Sequence, residues 1–412
     1  MTVPTDPVSA DPFGPGNPRA YLDPAGLDPR TLAVRGGQAR STFDETAEGL
    51  YLTSGFVYGS AEEAEAAFSG GISKFVYSRY GNPTVAMFEE RLRVLEGADA
   101  CYATASGMGA VFTALAALVG AGDRLVASRG LFGSCFVVVD EILPRWGVET
   151  VLVDGPDLKQ WREALSVPTT AVFFETPSNP MQELVDIAAV CELAHAAGAQ
   201  VVVDNVFGTP VFSRPLEHGA DIVVYSATKH IDGQGRVLGG AILGPEDYIA
   251  GPVENLVRHT GPSLSPFNAW VLLKGLETMD LRVRAMAQSA LTVARALDEH
   301  LRVVSTVYPW LPSHPQHDLA QRQMSGGGTV VTFQIDGGKA EAFAVMNALR
   351  LVDISNNLGD SKSLITHPAT TTHRRMGEEA RTAIGITDGT LRISVGLEAA
   401  EDLVADLAHA IG

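Results

Sequence analysis

The sequence predicts an α/β protein: a mainly parallel seven-stranded sheet flanked by helices, preceded by an N-terminal arm and followed by a smaller C-terminal α+β domain. Three observations lead there. Between Ala100 and about Leu243, seven short apolar or β-branched runs alternate with helical patterns. A long amphipathic helical segment then runs from about Phe267 through Leu297, and beyond it the pattern changes to isolated strands and helices. The composition agrees, with 46% hydrophobic and 19% charged residues and 42 glycines spread over 412 residues, the profile of a folded protein of about two domains.

Taken in order, the opening residues to about position 30 are rich in Pro, Asp and Gly, bury little, and read as a mobile arm. The runs CYATAS, RLVAS, ETVLV, TTAVFFE, AQVVVDN, DIVVYSATK and GGAIL read as strands. Between them the clearest helix is Val185 to Gly198, with apolar positions at helical spacing and a glycine at its end. Strands joined by helices need crossover connections, which build a parallel sheet covered on both faces. GGGTVVTFQI, an alanine-rich helix over Lys339 to Leu349, LRISVG and a last helix after Gly396 make the smaller domain. The expected division is an N-terminal segment over 1–76, a large domain over 77–272 and a small domain over 273–412.

The formal charge of −18, with 30 Lys and Arg gathered into no run, leaves nucleic acid without an electrostatic footprint. No signal-like start and no stretch of the ~18 apolar residues that a membrane span needs is present, so a cytoplasmic protein is expected. Cys101, Cys135 and Cys191 are odd in number and widely spaced, which fits reduced core thiols.

In open α/β sheets ligands sit beyond the carboxyl ends of the strands, so polar residues that close an apolar strand draw notice. QVVVDN ends at Asp204, and DIVVYSATK ends in Ser226, Thr228 and Lys229. An ordinary Asp204–Lys229 ion pair stands as an open reading of those two residues alone. The hydroxyls beside the lysine shift the balance toward pyridoxal 5′-phosphate (PLP), whose phosphate and aldehyde flank one ring. Asp204 is the residue type that keeps a pyridine nitrogen protonated, and Lys229 suits a Schiff base and proton transfer. TASGMGAVF adds a strand that ends at Ser106, a glycine at 107 and an immediate helix start, hence backbone amides for an anion. Gly107-x-Gly109 without a third glycine is a poor dinucleotide fingerprint, which counts against a nicotinamide enzyme.

From about Thr31 to its end the chain resembles the Cys/Met-metabolism family of fold-type I, aspartate aminotransferase-like PLP enzymes. The motifs that carry the resemblance are YSRYGNPT at 77 to 84, SGM at 106 to 108, ETPSNP at 175 to 180, VDN at 203 to 205, YSATKH at 225 to 230, GDSKSLITHPATTTH at 359 to 373 and LRISVGLE at 391 to 398. The resemblance implies that Lys229 holds the cofactor, that Asp204 partners its ring nitrogen, and that Gly107, Met108, Ser226 and Thr228 hold its phosphate, with Ser106 beside them. It implies that Tyr77 and Arg79 reach the phosphate of a neighbouring subunit, so that active sites are shared within a homotetramer. Asn179 is implied to bond the cofactor's hydroxyl and Arg392 the substrate α-carboxylate, a task for a planar two-pronged donor.

Two departures from the family pattern stand out. Phe132 in LFGSC takes the place of a stacked tyrosine, so stacking is kept and a hydroxyl is lost. Asp360 and Lys362 stand in NLGDSKSL near the entrance, where other branches often carry Gly and Glu. Both departures resemble the sulfhydrylase branch. They imply a γ-replacement in which sulfide displaces the acyloxy group of an O-acyl-homoserine, the succinyl ester before the acetyl. Asn357, Lys362 and Arg236 are the candidate substrate contacts beside Arg392, the two cations as partners for a distal carboxylate. His314, His317, His367 and His373 lack a third ligand at suitable spacing, and no metal is expected.

Overall fold

A computed structural model describes residues 23–412, so most of the expected arm lies outside the described residues. All seven expected strands of the large sheet form: β1 (Ala100–Thr104), β2 (Arg124–Ser128), β3 (Glu149–Val153), β4 (Ala171–Glu175), β5 (Gln200–Asp204), β6 (Ile222–Tyr225) and β7 (Gly240–Gly244). Their order is β1-β7-β6-β5-β4-β2-β3, with β7 antiparallel to both of its neighbours and the other pairs parallel. Six carboxyl ends therefore point the same way.

Alternate residues of each strand go to opposite faces. Phe173, Val202, Val224 and Ile242 pack with Ala110, Val111 and Leu115 of the helix Gly107–Ala116. On the other face Phe174 and Val203 meet Trp161 and Val190, while Val223 and Leu243 meet Phe88 and Leu272. With both faces covered, β4, β6 and β7 are buried along their whole length, which is why they read as continuous apolar runs. The expected helix at 185 to 198 is Ile187–Ala196, capped by Asp186 and closed before Gly198, whose φ of 80° suits glycine.

The second sheet comprises β8 (Val303–Val307), β9 (Val330–Ile335), β10 (Asp353–Ile354), β11 (Leu364–Thr366) and β12 (Thr390–Ser394), in the order β10-β11-β12-β9-β8. Helices Lys339–Ala348 and Ala400–Ile411 supply Ala342, Val345, Leu403 and Leu407 to its core.

The helical segment expected from 267 to 297 is not continuous: the helices are Pro266–Leu276 and Met279–Asp298. The Gly275 carbonyl, which an unbroken helix would give to the Met279 N–H, instead accepts from Arg282 Nη2 at 2.8 Å. Arg282 also donates from Nη1 to the His230 carbonyl at 3.0 Å, so the break ties the segment to the loop after β6. The second of these helices threads both cores, with Met279 and Val283 in that of the large sheet and Val293 and Leu297 in that of the small one.

Candidate active site

A cavity of about 240 Å³ opens beyond the carboxyl ends of β4, β5 and β6, with β12 closing its far side. It brings together Ser106, Gly107, Met108, Phe132, Asn179, Asp204, Ser226, Thr228, Lys229 and Arg392, residues far apart in sequence.

Its anion-binding end forms where β1 turns into the helix Gly107–Ala116. The Ser106 hydroxyl caps that helix by accepting from the Gly109 N–H at 3.1 Å. A Cβ on Gly107 would lie 2.5 Å from that of Ser226, so only glycine lets the helix start reach the end of β6. The Thr228 hydroxyl accepts from the Gly239 N–H at 3.1 Å, which fixes the loop that carries Lys229.

The amine of Lys229 donates to Asn357 Oδ1 at 2.5 Å, and no Lys229–Asp204 ion pair forms. Burial, helped by the charge of Arg392, pulls its pKa down to about 8, which leaves a minor but substantial fraction of the amine, roughly a fifth, neutral near physiological pH.

Two carboxylates face this amine's cavity. Asp204 and Glu175 stand directly across from each other in the β4–β5 register. Burial pushes Asp204 up to about 7, and its Oδ1 accepts from the Val206 N–H at 3.1 Å. Burial and then the charge of Asp204 push Glu175 up, although its Oε2 accepts from the Phe132 N–H at 2.8 Å. Two adjacent buried acids make a site that would favour a cation beside them. Glu175 was missed on the sequence, yet it closes AVFF as Asp204 closes VVV, and the same strand-end rule finds it.

Arg392, on β12, is fully buried. Its Nη1 donates to Asn179 Oδ1 at 2.9 Å and its Nη2 to the carbonyls of Asn356 and Asn357 at 3.0 and 3.2 Å. Its Nε, itself buried, has no partner among the described residues, so one donor of this cavity-lining residue is unspent. Burial pulls the guanidinium down to about 10, and Glu175 acts in the opposite sense. Asn179 is held in turn by Arg392 and, through its carbonyl, by buried His373 at 3.0 Å.

The remaining candidates stand elsewhere. Asn357 acts on Lys229 from just outside the cavity lining. Tyr77, 40% exposed, and Arg79 do not reach this chain's cavity; the guanidinium lies over the Tyr80 ring at 4.8 Å and donates to the Arg258 carbonyl. Arg236 and Lys362 also do not line the cavity. Arg236 Nε is bound to Asp232 Oδ1 at 2.8 Å and Lys362 Nζ to Asp360 Oδ1 at 3.0 Å, so each expected partner of a distal carboxylate is already paired with a nearby aspartate.

A nucleophilic amine of lowered pKa, an amide-lined helix start and a pair of buried acids fit the aldehyde, phosphate and ring nitrogen of PLP. They define a PLP-dependent enzyme. The comparisons carry the assignment one step further: the chain belongs to the family described as Cys/Met metabolism PLP-dependent enzymes, whose profile matches residues 30–412. It is 67% identical, over 94% of this chain and 97% of the relative, to the O-succinylhomoserine sulfhydrylase of Mycobacterium tuberculosis. It is 48% identical, over 95% and 96%, to the enzyme of that name from Pseudomonas aeruginosa. Among solved structures, an O-acetylhomoserine (thiol)-lyase from Campylobacter jejuni carrying N′-pyridoxyl-lysine-5′-monophosphate superposes with a TM-score of 0.89 at 31% identity, covering 93% of this chain and all of that one.

Proposed function

We propose that this enzyme catalyses a γ-replacement in which sulfide displaces the acyloxy group of an O-acyl-L-homoserine, with O-succinyl-L-homoserine preferred, giving L-homocysteine and succinate for methionine synthesis. The observation that carries the reading is the conjunction, in one cavity, of a partly neutral Lys229 amine and an unspent Arg392 donor. The likeness to two O-succinylhomoserine sulfhydrylases supports the choice of acyl group.

Bound PLP supplies an electron sink that acidifies the hydrogens of the amino acid it holds. Lys229 is the residue that would hold it and that moves the proton at the substrate α-carbon, with Asn357 aiming the amine. Arg392 receives the α-carboxylate at the cavity wall, and the contacts of its Nη groups to Asn179, Asn356 and Asn357 keep the guanidinium from turning. Asp204 and Glu175 hold positive charge at the mouths of β4 and β5. The Phe132 ring supplies an apolar face without a proton of its own, so the proton traffic falls to Lys229.

Steady-state assay with sulfide tests the substrate. The expected kcat/KM for the succinyl ester exceeds that for the acetyl ester by about 10-fold or more, the worth of one charge-assisted contact. An acetyl preference, or turnover with cysteine in place of sulfide, would overturn the reading.

The large domain of this reading spans 77–272, the small one 273–412, with 1–76 as the N-terminal segment. Phe43, Leu52, Val57 and Phe68 are 88%, 67%, 89% and 66% exposed, an apolar surface along that segment next to Tyr77 and Arg79. A second copy covers it and receives Tyr77 and Arg79 at its own phosphate end, within a cytoplasmic homotetramer of two such pairs. No described helix is long and apolar enough to cross a membrane. Shared sites predict complementation: Arg79→Ala and Lys229→Ala, each nearly inactive, recover about a quarter of wild-type activity when dissociated, mixed and reassociated, because half of the dimers are hybrids with one intact site. A mixture no more active than its components contradicts the sharing.

A further inference from the structure

A groove of about 940 Å³ continues outward from the active-site cavity and shares Met108, Phe132 and Asn356 with it. One wall is apolar, built by Phe112, Val137 and Ile142; the other is the turn Thr370–Thr372 with Arg375 just beyond it. Arg375 is the sole lining residue with a permanent charge, and its guanidinium has no hydrogen bond or ion pair among the described residues.

The turn that carries Arg375 is fixed to the cavity wall at two points. His373, fully buried, bonds the Asn179 carbonyl through Nε2 at 3.0 Å. A Cβ on Gly133 would lie 2.5 Å from the Thr372 carbonyl oxygen, so the turn rests directly on the backbone beside Phe132. The backbone that carries this exposed cation is thereby anchored beside the path out of the cavity.

An O-succinyl ester differs from an O-acetyl ester by one methylene and a carboxylate, so the acid end needs a cation with donors to spare. Arg236 and Lys362 are less well placed for this, since each is charge-paired with its own aspartate and neither lines the cavity or the groove. We propose that Arg375 receives the distal carboxylate of the succinyl group, with the methylenes against the apolar wall, and so sets the choice of acyl ester. The assignment rests on the succinyl-ester reading above and deepens it.

The test compares the holoenzyme with Arg375→Ala, Arg375→Lys and the double variant Arg236→Ala/Lys362→Ala, each assayed with both esters and sulfide. Arg375→Ala is expected to raise KM for the succinyl ester about 10-fold, with kcat and the acetyl-ester kinetics within about twofold of wild type. Arg375→Lys regains part of the loss, and the double variant keeps the wild-type ratio of the two esters. A succinyl preference that persists in Arg375→Ala, equal losses on both esters, or a ratio that collapses in the double variant instead, overturns the assignment to Arg375. A wild-type enzyme with no succinyl preference overturns the parent reading itself, which separates the two failures.

Discussion

Lys229→Ala is expected to lose the visible absorbance of bound cofactor and to lower turnover by about 10³-fold or more, since it removes both the covalent anchor and the proton carrier. The fold should survive. Lys229 follows β6 in a loop tied by the Thr228–Gly239 hydrogen bond, and its side chain lies in a cavity rather than in a packed core. Its amine is also costly to bury. Its pKa in the folded chain, about 8, lies below the ordinary 10.5, so folding with the charged form is penalised below pH 8 and the penalty fades as pH rises to 10.5. At pH 7 the variant apoprotein should therefore melt no lower than wild-type apoprotein, which distinguishes a missing chemical group from a damaged fold. Retained turnover in Lys229→Ala would show that the amine does other work.

Asp204→Asn is expected to move stability and activity in opposite directions. Turnover should fall by about 10²-fold or more, because a neutral amide no longer holds positive charge at the mouth of β5. The apoprotein should become more stable at neutral pH. The folded pKa of Asp204, about 7, lies above the ordinary 3.8, so its ionisation opposes folding fully above pH 7 and not at all below pH 3.8. The gain of the variant, on the order of 1 kcal/mol or more, therefore appears as pH rises through that window. Relief of the adjacent Glu175 adds to it, since the charge of Asp204 is one of the forces that push that acid up. Denaturant titrations of both apoproteins across that pH window, beside steady-state rates of the holoenzymes, check the two halves together. An equally active variant, or an apoprotein destabilised at pH 7, would contradict this role for the pair.

Much of this site was legible in the sequence because the large sheet is buried on both faces. Its strands read as apolar runs, and the polar residues that end them, Asp204 and Ser226 among them, stand out for that reason. What stayed hidden depends on side chains that are remote along the chain or on elements too short to show a period. At the helix break before Met279, Arg282 takes a carbonyl, a contact that the hydrophobic pattern does not reveal. β10 has two residues, both exposed, and β11 three, so neither offers an alternation to read. Arg236 and Lys362 looked free on the sequence because a positive charge is visible there and its neutralisation is not. Asp232 lies four residues before the one and Asp360 two before the other, and both are close enough in space to take the charge. Arg375 shows the reverse, an unremarkable arginine in a polar run that the fold leaves unpaired beside a groove.

The most direct test of the account is to reduce the purified holoenzyme with borohydride, digest it, and locate the pyridoxyl group by mass spectrometry. The account predicts a single labelled peptide, with the label on Lys229, and loss of the visible band in step with labelling. Label on any other lysine, or a colourless protein that takes up no label, would contradict it.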